Sequence, residues 1–199
     1  EASCREVVLL GFPSQFLSSM LPKIKPAPGA IVISIIKGLD AETLSTPLEC
    51  AARHLPAGVK LAVLSGPSFA RDVVVGKPCG LTAASKDEAV ARQVAEIFAS
   101  DRMRVYVSTD TIGVEIGGVV KNVIALAAGV CDGLELGDSA RAGLITRGLA
   151  EIMRLAKAMG AEMQTLSGLS GLGDLVMTAS CDTSRNRTVG LRLGRGEKL

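Results

Sequence analysis

Ala30-Ile-Val-Ile-Ser-Ile-Ile36, running straight into Lys37-Gly-Leu-Asp40, decides the fold. Its apolar residues form a short unbroken run and do not alternate with polar ones, as expected of a strand buried on both faces of a parallel sheet. Val7-Val-Leu-Leu-Gly-Phe-Pro13 upstream and Lys60-Leu-Ala-Val-Leu-Ser65 downstream have the same character. Helix-like segments fall between them, Ser14 to Leu21 and Asp40 to Leu55, the second bent or begun late around Pro47. Ser85-Lys-Asp-Glu88 predicts a capping box at the head of Ala89 to Phe98, with Ser85 capping the amide of Glu88 and Glu88 reaching back. Further strands are expected at Cys79 to Ala84 and Met103 to Val107. Strand alternating with helix makes residues 1–108 part of a doubly wound, Rossmann-like α/β fold, a partial parallel sheet.

After Thr109-Asp-Thr-Ile-Gly113 the pattern changes to long helical periods without strand signals, so residues 109–199 read as an all-α unit. One helix is expected over Gly113 to Cys131 and another over Ser139 to Met159. Gly168-Leu-Ser-Gly-Leu-Gly173 is a glycine-rich turn, and Asp174 starts the next helix. A partial α/β sheet feeding a helical unit is a common layout of nucleotide-dependent dehydrogenases, with chemistry in the cleft between. No Gly-x-Gly-x-x-Gly follows the first strand, and the 168–173 cluster has the wrong spacing and place, so that fingerprint is expected upstream of Glu1.

Composition narrows the function. The 199 residues are 48% hydrophobic, enough for a real core, and carry a net charge of only +2. Five basic residues (Arg185, Arg187, Arg192, Arg195, Lys198) against Asp182 and Glu197 concentrate positive charge at one end, which calls for an anion. With Phe12, Phe16, Phe69, Phe98 and Tyr106 as the aromatics and no Trp, stacking on single-stranded nucleic acid is not expected, and a small anionic substrate fits better. Cys4, Cys50, Cys79, Cys131 and Cys181 are odd in number and widely spaced, as reduced thiols would be, and with His54 the sole histidine no metal site is expected. His54 itself reads as a surface residue in a last helical turn. No uncharged apolar run reaches the roughly 18 residues of a membrane span, and Glu1 to Glu6 is not a signal peptide.

Lys121 stands in Gly113-Val-Glu-Ile-Gly-Gly-Val-Val-Lys-Asn-Val-Ile-Ala-Leu-Ala-Ala-Gly129, apolar on nearly every side. A desolvated ammonium has its pKa drawn down toward working pH, which makes it a candidate proton donor and acceptor. Gly117, Gly118, Ile124 and Ala125 lie one turn away and leave room above the amine. The alternative is a lysine that snorkels to water along its own stem.

Five pieces in order, Ile36 to Asp40, Leu64-Ser-Gly-Pro-Ser-Phe-Ala-Arg-Asp72, Gly113 to Asn122, Gly168 to Thr178, and Thr183-Ser-Arg-Asn-Arg-Thr-Val-Gly190, together with Ala140 to Glu151, closely resemble the NAD(P)-dependent glycerol-3-phosphate dehydrogenases of bacterial and plastid type. The resemblance covers essentially the whole chain. It implies a Rossmann-like first unit and a second unit like the C-terminal domain of 6-phosphogluconate dehydrogenase. The implied reaction is hydride exchange between sn-glycerol 3-phosphate and dihydroxyacetone phosphate with NAD or NADP, supplying glycerol 3-phosphate for glycerophospholipid synthesis.

By resemblance, Lys121 is the catalytic acid and base at the C2 oxygen. Lys37 holds that oxygen and lies near the cofactor. Gly66, Ser68, Asn122, Asp174 and Thr178 contact substrate, and Ser184, Arg185 and Asn186 clamp its phosphate, with Arg185 also near the cofactor. Phe16 and Ala70 match cofactor contacts. Bland alternatives stand beside several of these: a strand-end surface lysine for Lys37, a helix N-cap for Asp174, a core phenylalanine for Phe16, and a solvated surface charge for Arg187.

The chain starts at later strands of the family's cofactor unit and stops at Gly194-Arg-Gly-Glu-Lys-Leu199, as an internal fragment would, and Phe12 replaces a frequent valine. The resemblance further implies a homodimer at full length, in the cytoplasm or plastid stroma, without a nucleic-acid partner. Two other readings remain. One is a sister dehydrogenase with a different anion clamp. The other is a catalytically incomplete fragment or paralogue serving oligomerisation or small-molecule sensing.

Overall fold

The computed structural model describes residues 4–198. A five-stranded sheet has spatial order β1 (Val7–Leu10), β2 (Ile31–Ser34), β3 (Lys60–Ser65), β4 (Cys79–Ala84), β5 (Met103–Ser108). β1–β2, β2–β3 and β4–β5 pair in parallel, with Val8 opposite Val32 and Val32 opposite Leu61. β4 runs antiparallel to β3, with Leu64 opposite Ala83, a correction to the fully parallel expectation. A parallel return needs a crossover, usually a packed helix. Here the link carries only the five-residue α3 (Ala70–Val74), which buries none of its residues, and the chain turns back. The eleven-residue α4 (Glu88–Phe98) does bury an apolar face of Val90, Ala91, Val94 and Ala95, and the next pairing is parallel.

Local chemistry sets the helix starts. The segment after Pro13 is broken into a 3-10 turn, the one-turn helix α1 (Leu17–Met20) and another 3-10 turn over Leu21–Lys23. Asp40 does not start a helix. Its carboxylate accepts from Ser18 Oγ and from the Thr43 amide and hydroxyl, and α2 (Pro47–His54) begins later. Pro47 occupies the first turn, and Thr46 and Glu49 cap each other's amides. The box expected at Ser85 is absent. The Ser85 hydroxyl donates to the Leu61 carbonyl at 2.7 Å and accepts from Asp87 N at 3.3 Å, and Asp87 caps the Ala89 amide at 2.9 Å.

Side chains of successive strand residues point to opposite faces, and each face has its own core. Val8, Leu10 and Val32 pack with Leu17, Leu21, Cys50 and Ala51 on one side. Ile31, Ile33, Ala62, Leu64, Leu81 and Ala83 pack with Val90 and Val94 on the other. β2 is buried at all four positions, as its unbroken apolar run predicts. β1 is not: Val7 and Leu9 are 40% and 48% exposed, because this edge strand is covered on one face only.

The helical half is built on α5 (Thr111–Gly133), capped by Asp110, whose carboxylate accepts from Gly113 N at 2.8 Å and Glu162 N at 2.9 Å. By length and composition α5 could cross a membrane, yet it carries Glu115 and Lys121, and 56% of its most apolar window is buried inside the fold. α6 (Asp138–Ala158), α7 (Met163–Ser167), a π turn (Leu169–Gly173), α8 (Asp174–Ser180) and α9 (Arg185–Gly194) follow. Ile116 of α5, Ile152 and Ala156 of α6, Leu166 of α7 and Leu175 of α8 form their shared core.

Candidate active site

The sheet delivers Lys37 just past the C-terminal end of β2, and α5 delivers Lys121 from the opposite side. Asp174, the first residue of α8 and fully buried, joins them. One carboxylate oxygen accepts from Lys37 Nζ at 2.6 Å and the other from Lys121 Nζ. Asp174 makes no capping bond to the helix amides. Its carboxylate is spent on the lysines, and the N-cap alternative falls. Lys37 also donates to the Gly66 carbonyl at 3.3 Å, so the surface-lysine alternative falls with it.

Lys121 is 5% exposed and does not snorkel. Its pKa is lowered from 10.5 to about 8, first by burial and then by the Lys37 ammonium, with Asp174 opposing both. Thr178 Oγ1 accepts from Lys121 Nζ at 2.9 Å while donating its own proton to the Asp174 carbonyl at 2.6 Å. Two of the three ammonium protons are thereby fixed, and the third position is left for exchange with a ligand. In the neutral amine the lone pair takes that same direction.

The room expected above the amine is largely filled by the protein itself. A Cβ at Gly117 would stand 2.5 Å from the Ser170 carbonyl, so this glycine admits the π turn that leads into Asp174. Gly118 similarly faces Ser65 and the Lys37 stem. Gly66 has φ +146°, and a Cβ there would meet the Gly80 carbonyl at 2.8 Å, so only glycine suits the bend that aims its own carbonyl at Lys37.

The open space lies on the other side of the lysines, a cavity of about 510 Å³ at the C-terminal ends of β1 and β2. Lys37 and Lys121 face it, along with Ser68, Ala70, Asn122 and Thr178. Ser184, Arg185 and Asn186 form its far wall, at the N-terminus of α9. Ser184 is 2% exposed and its hydroxyl accepts from Arg187 N, so the serine serves as the helix cap. Asn186 donates to Asn122 Oδ1 at 2.9 Å, tying the α9 terminus to the residue after Lys121. Arg185 is exposed and has no ion-pair partner among the described residues. Lys37, Lys121 and Arg185 against Asp174 leave the cavity net positive, suited to an anion.

Phe16 does not line this cavity. It is 44% exposed on the 3-10 turn, neither a core residue nor part of the wall. Phe12, Pro13 and Phe69 supply the apolar wall instead. In the sequence Phe12 stands out only as a replacement for a frequent valine, and Phe69 only as one of the few aromatics. Their signal is their place in the loops that follow β1 and β3, where α/β sheets bind ligands. Gly66 acts from behind the wall through its carbonyl. Arg187 is no solvated charge but is 8% exposed and paired with Asp132 and Asp182. A depression of about 610 Å³ lies at the other end of the strands, around Glu6, Gly29, Lys60 and Glu96. It lies at the N-terminal ends of β1, β2 and β3, opposite the ends where such sheets bind ligands. The five cysteines are free thiols, and no metal-binding cluster occurs among the described residues.

Two family models match the chain in succession: the N-terminus of NAD-dependent glycerol-3-phosphate dehydrogenase over residues 1–91 and its C-terminus over residues 110–199. The chain is 49% identical to a glycerol-3-phosphate dehydrogenase [NAD(P)+] of Geobacter sulfurreducens and 50% identical to one of Thioalkalivibrio sulfidiphilus. Each alignment covers all of this chain and 60% of the relative, so the chain spans about three fifths of the length of the curated relatives it matches. The crystal structure of glycerol-3-phosphate dehydrogenase from Coxiella burnetii superposes with TM-score 0.91 at 39% identity, over 96% of this chain and 59% of that one.

Proposed function

This chain belongs to the NAD-dependent glycerol-3-phosphate dehydrogenase family, and on that premise we propose that it carries the substrate-facing half of an enzyme interconverting sn-glycerol 3-phosphate and dihydroxyacetone phosphate. The observation that carries the reading is the Lys37–Asp174–Lys121 bridge opening onto a positive cavity. A nicotinamide cofactor, NAD or NADP, suits the apolar wall of Phe12, Pro13 and Phe69 beside Ala70 at the strand ends. When bound it supplies or accepts the hydride at C2.

The protein's own share is the proton and the charge. In reduction Lys121, as the ammonium, gives its one uncommitted proton to the forming C2 oxygen. In oxidation the neutral amine takes that proton back, with a pKa near 8 placing both forms within reach. Thr178 and Asp174 hold the nitrogen so that the exchange keeps one direction. Lys37 donates a charge-assisted hydrogen bond to the same oxygen and stabilises developing negative charge. Asn122, with its carbonyl oxygen bonded to Asn186, turns its amide donor to a substrate hydroxyl, and Ser68 offers another. The phosphate sits at Arg185 and Asn186, by the N-terminus of α9, where helix amides and guanidinium both favour an anion. The product would feed glycerophospholipid synthesis. The same reading takes the complete protein as a homodimer in the cytoplasm or plastid stroma, which sedimentation and localisation experiments check.

The test is Arg185→Ala in the full-length protein. Losing the guanidinium fork costs about 2 to 3 kcal/mol toward dihydroxyacetone phosphate, seen mainly in KM, with competition by free phosphate lost in parallel. Reduction of unphosphorylated dihydroxyacetone stays nearly unchanged. Equal loss on both substrates would refute the phosphate assignment.

A further inference from the structure

Arg187 follows the clamp residues directly, yet no part of it lines the cavity. Its Nε and Nη2 both donate to Asp132 Oδ2, at 2.9 and 2.6 Å, and Nη1 donates to Asp182 Oδ1 at 2.7 Å. Burial alone would lower the guanidinium pKa, but the two carboxylates outweigh it and hold the charge in place. Asp182 is 96% exposed and contributes little. Asp132 is nearly buried and is the anchor, its second oxygen held by Arg141 of α6 at 2.9 Å.

Asp132 lies eleven residues beyond Lys121 on α5, three turns along and on the same face. α9 lies against that stretch backbone to backbone. A Cβ at Gly129 would stand 2.0 Å from the Arg187 carbonyl, and one at Gly190 would stand 2.0 Å from the Leu126 carbonyl. Gly133 and Gly194 repeat the contact a turn further on. With no side chains between them, the two helices have little freedom to slide apart or together. The side chains of the first turn of α9 add to this contact: the Arg187–Asp132 fork and the Asn186–Asn122 bond pin it to α5 on either side of the clamp.

We propose that Arg187 is a positioning residue: through Asp132 it fixes where Ser184, Arg185 and Asn186 present the anion site relative to Lys121. It contributes no charge to the anion, because its own is already matched. Only an arginine suits the post, since two N–H groups of one planar fork meet the same carboxylate oxygen while the third reaches Asp182. The inference rests on the phosphate reading of the α9 terminus.

Arg187→Ala, Arg187→Lys and Asp132→Asn, made in the full-length protein, test it. Two ligands serve as readouts, inorganic phosphate by calorimetry and dihydroxyacetone phosphate by turnover. Arg187→Ala and Asp132→Asn both weaken phosphate binding and raise KM for the phosphorylated ketone roughly 10-fold, with kcat within about 3-fold. Arg187→Lys recovers part of the loss, and reduction of unphosphorylated dihydroxyacetone changes less than about 2-fold in all three. If Asp132→Asn binds phosphate normally while Arg187→Ala does not, Arg187 touches the anion itself and the proposal is overturned. It is equally overturned if the variants melt earlier but bind phosphate as the wild type does, or if both ketones lose activity together. Should the wild type bind phosphate yet fail to reduce dihydroxyacetone phosphate, the reaction assignment fails alone, and the calorimetry still decides the role of Arg187.

Discussion

Asp174→Asn removes the one negative charge between two ammonium groups while keeping the side chain's shape. Asp174 is fully buried and Lys121 is 5% exposed, so water cannot take over the lost role. Removing one partner of a buried pair generally costs about 3 to 5 kcal/mol, because the other charge is left unmatched. Part of this is recovered here when Lys121 gives up its proton. Its pKa already lies near 8 through burial and the neighbouring Lys37, and Asp174 is what keeps it from falling further. The expected loss of stability is therefore about 2 to 4 kcal/mol at neutral pH, less under alkaline conditions. The catalytic consequence has a definite sign. With its pKa lowered, Lys121 is short of the proton that ketone reduction needs, so the pH–rate profile for reduction moves toward acid and turnover at neutral pH drops by on the order of 100-fold. Thermal melts and initial rates of dihydroxyacetone phosphate reduction, measured across pH on the full-length protein, read both effects. A variant with the wild-type pH profile and rate would show that Asp174 does not control the protonation of Lys121.

In the unaltered protein, oxidation of glycerol 3-phosphate should rise as pH passes upward through about 8, where Lys121 becomes the free base, and reduction should fall over the same interval; initial rates in both directions check this, and parallel profiles would contradict it. Glu115 is 4% exposed and accepts from Leu48 N at 2.9 Å, and burial lifts its pKa from 4.5 to about 7. The folded state thus holds a proton that the unfolded state has lost, so stability is shed as pH rises from about 4.5 to 7. Glu115→Gln, which keeps an acceptor for Leu48 N, should be more stable than wild type by on the order of 2 to 3 kcal/mol above pH 7, with no gain near pH 4.5; denaturant melts at the two pH values decide it.

Much of this was legible because the signals were local. β3 and β4 have the bounds their apolar runs suggest, and α5 and α8 begin within two residues of the expected positions. Lys121 stood out because a lysine amid small apolar residues is physically costly. What could not be read depended on distant partners. β4 runs antiparallel because α3 is too short to pack a crossover, and Ser85 is held at the Leu61 carbonyl, 24 residues away, where its oxygen meets the Asp87 amide and not that of Glu88. The double duty of Asp174 requires knowing that the π turn seats on Gly117, and the burial of Arg187 requires knowing that α9 lies against α5 through paired glycines. Phe16 stands off the cavity because its segment is a broken 3-10 turn, which places Phe12 and Pro13 at the wall.

Whether Lys121 carries the proton at C2 is decided by the turnover of Lys121→Ala in the full-length protein at saturating dihydroxyacetone phosphate and reduced cofactor. A fall of roughly 100-fold or more is expected with cofactor affinity little changed, because binding groups remain and the proton donor is gone. Turnover within a few-fold of wild type would contradict it and remove Lys121 from the chemistry.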